Sequence, residues 1–210
     1  FFRRVGGRVS DVVSYHFYVP KDDPEEVPHF VKSVRNIMAK HGLQNKPLWN
    51  TESGWLIANR DGGFGKNQRP AWLTWRKLDG IDAADMVLRA YLVNLGMGVS
   101  HLFWYAWDNG AMGLAEDMGK RVKPAVKGYE TAYRWLVGRD FRGCSRIDDV
   151  HYCLTFLEGV THHIVWAQDK EVLDIPKDWL VSSFEDIDGR VFPITSKTLR
   201  VGTSPIRLSP

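Results

Sequence analysis

The sequence predicts an α/β fold followed by a small all-β module, and three observations carry the prediction. From residue 9 to residue 137, runs with the period of a strand alternate with runs with the period of a helix, the pattern of parallel βαβ units. One of those helices is apolar on most faces and must be covered by other layers. Past Gly138 the helical period stops, and short β-type runs with tight-turn dipeptides take over. The expected units are therefore 1–138 and 139–210.

The segment 11–19, rich in β-branched and aromatic residues and closed by Pro20, reads as the first buried strand. Val27, Phe30, Val31, Val34, Ile37 and Met38 then recur at helical spacing up to Gly42. Pro47, Leu48 and Trp49 lead a second short strand into Asn50, Thr51 and Glu52, and Gly54 breaks it. From Ser53 to Gly80 no period is clear. Loops of that length are usually functional or disordered, and Trp55, Phe64, Trp72 and Trp75 argue against disorder. A second helix is expected over 82–96 and a third strand over 99–107, ended by Asp108, Asn109 and Gly110. A third helix follows near 123–137. In the β module, 150–157 and 160–166 form a hairpin about Glu158 and Gly159. Segments 172–173, 179–181, 190–192 and 206–208 read as further short strands, and the module reads as a sandwich.

Of 210 residues, 44% are hydrophobic and 25% charged, with a net charge of +3, the balance of an ordinary globular chain. The charges are interspersed and form no basic block, so neither nucleic acid nor a membrane surface is an expected partner. No apolar run approaches the ~18 residues of a membrane span. The chain starts at Phe1 without Met and shows no signal peptide, so it is expected to begin inside a longer protein, with its compartment unknown. Cys144 and Cys153 lack zinc-ligand spacing and fit either one hairpin-spanning disulfide or two packed thiols. His162 and His163, adjacent on a strand, face opposite ways and make no metal pair. No metal or organic cofactor is expected. Nine tryptophans, many near loops and strand ends, fit a ligand surface as well as core plugs.

Glu52 is the sharpest candidate, a carboxylate delivered at the C-terminal tip of a buried strand with aromatic neighbours. Sugar-processing enzymes use that combination: a carboxylate attacks the anomeric carbon, and aromatic rings carry the sugar faces. His16 and Tyr18, two apart on the first strand, share a side, and a Tyr hydroxyl beside a carboxylate keeps it ionised and oriented. Asn50 is expected on the side of Glu52, where it would bond a sugar hydroxyl. Trp55, and with it Phe64, Trp72 and Trp75, are candidate sugar platforms. Trp104 and Trp107 cannot both face the site on a regular strand, and the sequence does not choose between them. Asp108 would cap a turn or bind a sugar hydroxyl.

Three segments, Ser14 to Tyr18, Trp49 to Trp55 and Phe103 to Asn109, resemble in order those of clan A glycoside hydrolases of the family 5 and family 39 type. The resemblance implies that they are strands six to eight of a (β/α)8 TIM barrel, the C-terminal part, followed by the β module. It implies a retaining O-glycoside hydrolase acting on a polysaccharide or glycoside, with Glu52 as nucleophile. Tyr18 would bond Glu52, His16 would line the site, Trp104 or Trp107 would floor it, and His101 would be enclosed by the barrel. The clan's general acid/base, a Glu after an Asn at the fourth strand tip, has no counterpart here. The missing N-terminal barrel half of the same polypeptide is thus an expected partner, and the chain alone is expected to be inactive. The alternatives are a non-catalytic carbohydrate-binding or structural module, and an unrelated barrel enzyme using Glu52 as a general base.

Overall fold

A computed structural model describes residues 10–65, 70–119 and 121–210. Residues 1–9, inside the expected first unit, and 66–69, inside the long loop, lie outside the described residues.

The α/β half is built on a parallel sheet of three strands, β1 (Val13–His16), β2 (Leu48–Ser53) and β5 (Val99–Trp104), in the order β1-β2-β5. Helix α1 (Val27–Lys40) connects the first two, buries Val27, Val31, Val34 and Met38, and ends before Gly42 at φ +70°. Helix α2 (Gly80–Gly96) connects β2 to β5 and is buried around most of its circumference, as its apolar faces require. A two-stranded ribbon, β3 (Leu56–Ile57) with β4 (Lys77–Leu78), brackets the long loop between β2 and α2. Helix α3 (Val126–Leu136) crosses α2 so closely that a Cβ on Gly128 would overlap the Ala84 carbonyl.

The second half is a six-stranded antiparallel sheet in the order β11-β10-β13-β8-β7-β6. Its strands are β6 (Asp140–Ile147), β7 (Val150–Leu157), β8 (Val160–Ala167), β10 (Ser183–Glu185), β11 (Val191–Pro193) and β13 (Ile206–Ser209). The expected hairpin is β7–β8, with positive φ at Glu158 and Gly159. Several elements differ from expectation, among them β10 and the strand Thr198–Val201, neither of which was expected. Strand β6 was not legible, because its exposed, Arg- and Gly-bearing sequence sits at a sheet edge and carries a bulge near Gly143. Residues 177–179 form a 3-10 turn, with Leu180 left-handed at φ +51°, in place of the strand expected over 179–181. The second layer of the expected sandwich is only a ribbon, β9 (Glu171–Asp174) with β12 (Thr198–Val201), over a core of Val150, Val165, Leu173 and Leu208.

The other face of the large sheet joins the α/β half. Cys153, Ile164, Trp166 and Ile187 belong to the same buried cluster as Leu48, Leu88 and Trp135. Polar links lie within this seam. Arg89 of α2, 2% exposed, is forked onto Glu25, which also accepts the Trp166 indole N–H at 2.7 Å. Ser204 donates to buried Asp85 at 2.8 Å. Cys144 and Cys153, directly opposite on β6 and β7, form a disulfide, the first of the two arrangements the sequence allowed. No helix among the described residues is long and apolar enough to cross a membrane.

Candidate active site

The three parallel strands end on one side, and their tips gather the candidate residues. Glu52 comes from the central strand, His16 and Tyr18 from the β1 end, and Trp104 from the β5 end. Tyr18 donates its hydroxyl to Glu52 Oε1 at 2.8 Å. His16 Nδ1 stands 3.6 Å from Glu52 Oε2. The carboxylate is 32% exposed, so it is open to a ligand while Tyr18 holds one oxygen and His16 stands near the other. Burial, then the hydrogen bond to Glu52 and its negative charge, push the Tyr18 phenol well above its ordinary range, and the Tyr105 phenol adds to this. Tyr18 therefore remains a protonated donor to Glu52 throughout the working pH range.

A bulge sets which side chains reach this cleft. Tyr15 pairs with Asn50 and His16 pairs with Glu52, so Thr51 is an extra residue on β2 and the alternation inverts there. Asn50 accordingly points away from Glu52. It is fully buried, accepts the Phe17 N–H at 3.2 Å and donates to Asn94 Oδ1 at 3.1 Å. The expectation that Asn50 meets a sugar gives way to a structural role joining β1, β2 and α2.

Trp55 is corrected in the same way. It is fully enclosed, its indole N–H shared between the carbonyls of Val19 and Asp22, and its ring lies against Trp104 at 5.8 Å. Trp104 is half-buried and donates to the Met112 carbonyl at 3.1 Å. Trp107 lies beyond the strand end and is 52% exposed, so the two tryptophans are divided by where β5 stops. Asp108 is exposed beside it, and the turn is capped instead by Asn109, whose Oδ1 accepts the N–H groups of Ala111, Met112 and Gly113.

One feature escaped the sequence reading. Tyr105 is 44% exposed, ties its N–H to the Ser53 carbonyl at 2.8 Å, and lies near Tyr18. Gly54 admits this approach, since a Cβ there would sit 2.7 Å from the Tyr105 carbonyl oxygen. The glycine after the candidate carboxylate was the available signal. On the β1 side, Trp75 packs on Tyr18 at 5.9 Å and on Trp72 at 6.0 Å, so the long loop folds back to the site. The sheet face below is open: His101 is exposed, against the expectation of enclosure, and lies with Trp49 at 4.6 Å and Phe103 at 6.3 Å. Among the described residues no cluster of His, Cys, Asp or Glu is arranged to hold a metal.

No protein-family profile matches the sequence, and no curated protein matches it. Solved structures do. A family 39 glycoside hydrolase from Bacteroides cellulosilyticus WH2 aligns with 99% of this chain and 46% of its own, at TM-score 0.70 and 17% identity. An α-L-arabinofuranosidase from Thermotoga maritima aligns with 100% of this chain and 55% of its own, at TM-score 0.61 and 10% identity. A family 86 β-porphyranase from Bacteroides plebeius aligns with 95% and 41%, at TM-score 0.52 and 15% identity. The chain thus spans about half the length of the structures it matches. Its fold, the mixed α/β unit with the mostly antiparallel sheet attached, is similar to that of about half of each of these glycoside hydrolase structures.

Proposed function

We propose that this chain carries the nucleophile half of a retaining glycoside hydrolase, with Glu52 as nucleophile. The observation that carries the reading is the grip on Glu52. A phenol donor on one oxygen and an imidazole near the other orient an accessible carboxylate toward the cleft. Attack by Glu52 on the anomeric carbon would form a glycosyl-enzyme, and a second carboxyl group would protonate the leaving oxygen. His16 and Tyr18 orient the nucleophile. Trp107, Trp104 and Asp108 border the sugar from the β5 side.

The second carboxyl is proposed to come from a part of the polypeptide outside residues 1–210. Among the described residues no strand pairs with either edge of the parallel sheet, and its aromatic face is exposed, which supports three strands of a (β/α)8 barrel closed by further βα units. The length of the matched structures supports the same reading.

The test is hydrolysis of a panel of polysaccharides and aryl glycosides by the full polypeptide. Glu52→Gln should lose roughly a thousandfold or more in kcat with folding intact, and a 2-fluoro-glycoside that inactivates the enzyme should label Glu52. Hydrolysis by the purified 210-residue chain alone, abolished by Glu52→Gln, would overturn the proposal that the acid/base lies elsewhere. Full activity in Glu52→Gln would overturn the nucleophile.

A further inference from the structure

At the seam between α3 and the large sheet, two guanidinium groups and an indole converge on one carboxylate, with a third guanidinium beside them. Arg134 donates Nε to Glu185 Oε1 at 2.8 Å, Trp135 donates to the same oxygen at 3.1 Å, and Arg207 takes Oε2. Glu185 is thereby filled. Arg139 spends its Nε on the Arg134 carbonyl at 3.4 Å. What remains is Arg139 Nη1 and Arg207 Nε and Nη1, three enclosed donors with no hydrogen-bond partner among the described residues. His162, on the strand beside Arg207, faces the same cluster and bonds Ser209 Oγ through Nδ1 at 2.8 Å.

The electrostatics agree with the geometry. Burial, then the charges of Arg207 and Arg139, hold His162 below its ordinary range. Arg207 is itself held down by burial, with Arg139 and Arg134 repelling it against the pull of Glu185. Arg134 is 41% exposed and meets solvent, so the enclosed balance is Arg139 and Arg207 against Glu185, a surplus of one. Enclosed charged donors persist only when paired. Water would satisfy the N–H groups and leave the surplus charge unmatched.

We propose that this seam binds a small oxyanion of the sulfate or phosphate class, held by Arg139 and Arg207 beside His162. Guanidinium edges match the oxygen spacing of such ions. The ligand is the free ion. It fastens β13 of the large sheet to the C-terminal end of α3.

The experiment melts the full polypeptide while sulfate replaces chloride at fixed ionic strength. Sulfate also stabilises proteins by exclusion from their surface, so the reading is the difference between the unaltered protein and Arg139→Gln or Arg139→Lys. The unaltered protein should show a saturable rise. Its folding constant should grow about a hundredfold at a hundredfold excess of sulfate over the dissociation constant. Both variants should show only the common unsaturated drift. Parallel curves for protein and variants overturn the site. Should the variants fail to fold, the Nε–H resonance of Arg207 decides: a saturable shift with sulfate supports the site, and an unmoved resonance overturns it.

Discussion

Asn50 shows how one residue's role turns on its neighbours. Its amide joins the Phe17 N–H to Asn94 in a site without solvent. Asn50→Ala strands both partners and should cost about 1–3 kcal/mol, read as a lower denaturant midpoint. Tyr18→Phe removes one bond to Glu52 and keeps the packing on Trp75, so it should spare stability and lower kcat of the full polypeptide about a hundredfold. That Glu52, Tyr18 and His16 meet was legible because a buried strand followed by a polar tip and a glycine is a local signal. Asn50 was misplaced because strict alternation takes no account of the bulge at Thr51, which depends on how β1 and β2 pair. Trp55 was misplaced because its partners, the carbonyls of Val19 and Asp22, lie more than thirty residues away.

At the scale of elements, the three helices and the β7–β8 hairpin followed from period and turn chemistry. β6 and β12 did not, since edge and ribbon strands need bury little and so show weak patterns. The third parallel strand stops at Trp104, three residues short of expectation, and that early stop places Trp107 in solvent. The α2–α3 crossing rests on Gly128 against Ala84, a contact that no period reveals. Gly128→Ala should push the helices apart and cost about 1–3 kcal/mol despite alanine's better helix propensity, again read from the denaturant midpoint.

For the whole molecule, the two halves share one core, so the boundary near residue 138 divides the sequence and does not divide the packing. Residues 139–210 expressed alone would expose Ile164, Trp166 and Ile187. They should show the broad, poorly dispersed amide spectrum of an unfolded chain. Two buried groups give opposite pH dependences. Burial pushes Asp85 up to about 6 from 3.8, so its contribution is full below 3.8 and is lost as pH rises through 6. Burial pushes His163 down to about 4 from 6.5, so its contribution is full above 6.5 and is lost as pH falls through 4. Asp85→Asn should therefore make stability climb more steeply with pH between about 4 and 6, measured by denaturant unfolding at both ends of that window.

Retaining chemistry at Glu52 depends on a second carboxyl group. The most direct measurement is a crystal structure of the full polypeptide and, in it, the distance from Glu52 to the nearest other carboxyl group across the cleft. A retaining mechanism predicts about 5 Å, from a residue outside this chain on another strand tip of the same barrel. A separation of about 6.5–9.5 Å, or no facing carboxyl at all, would contradict Glu52 as the nucleophile.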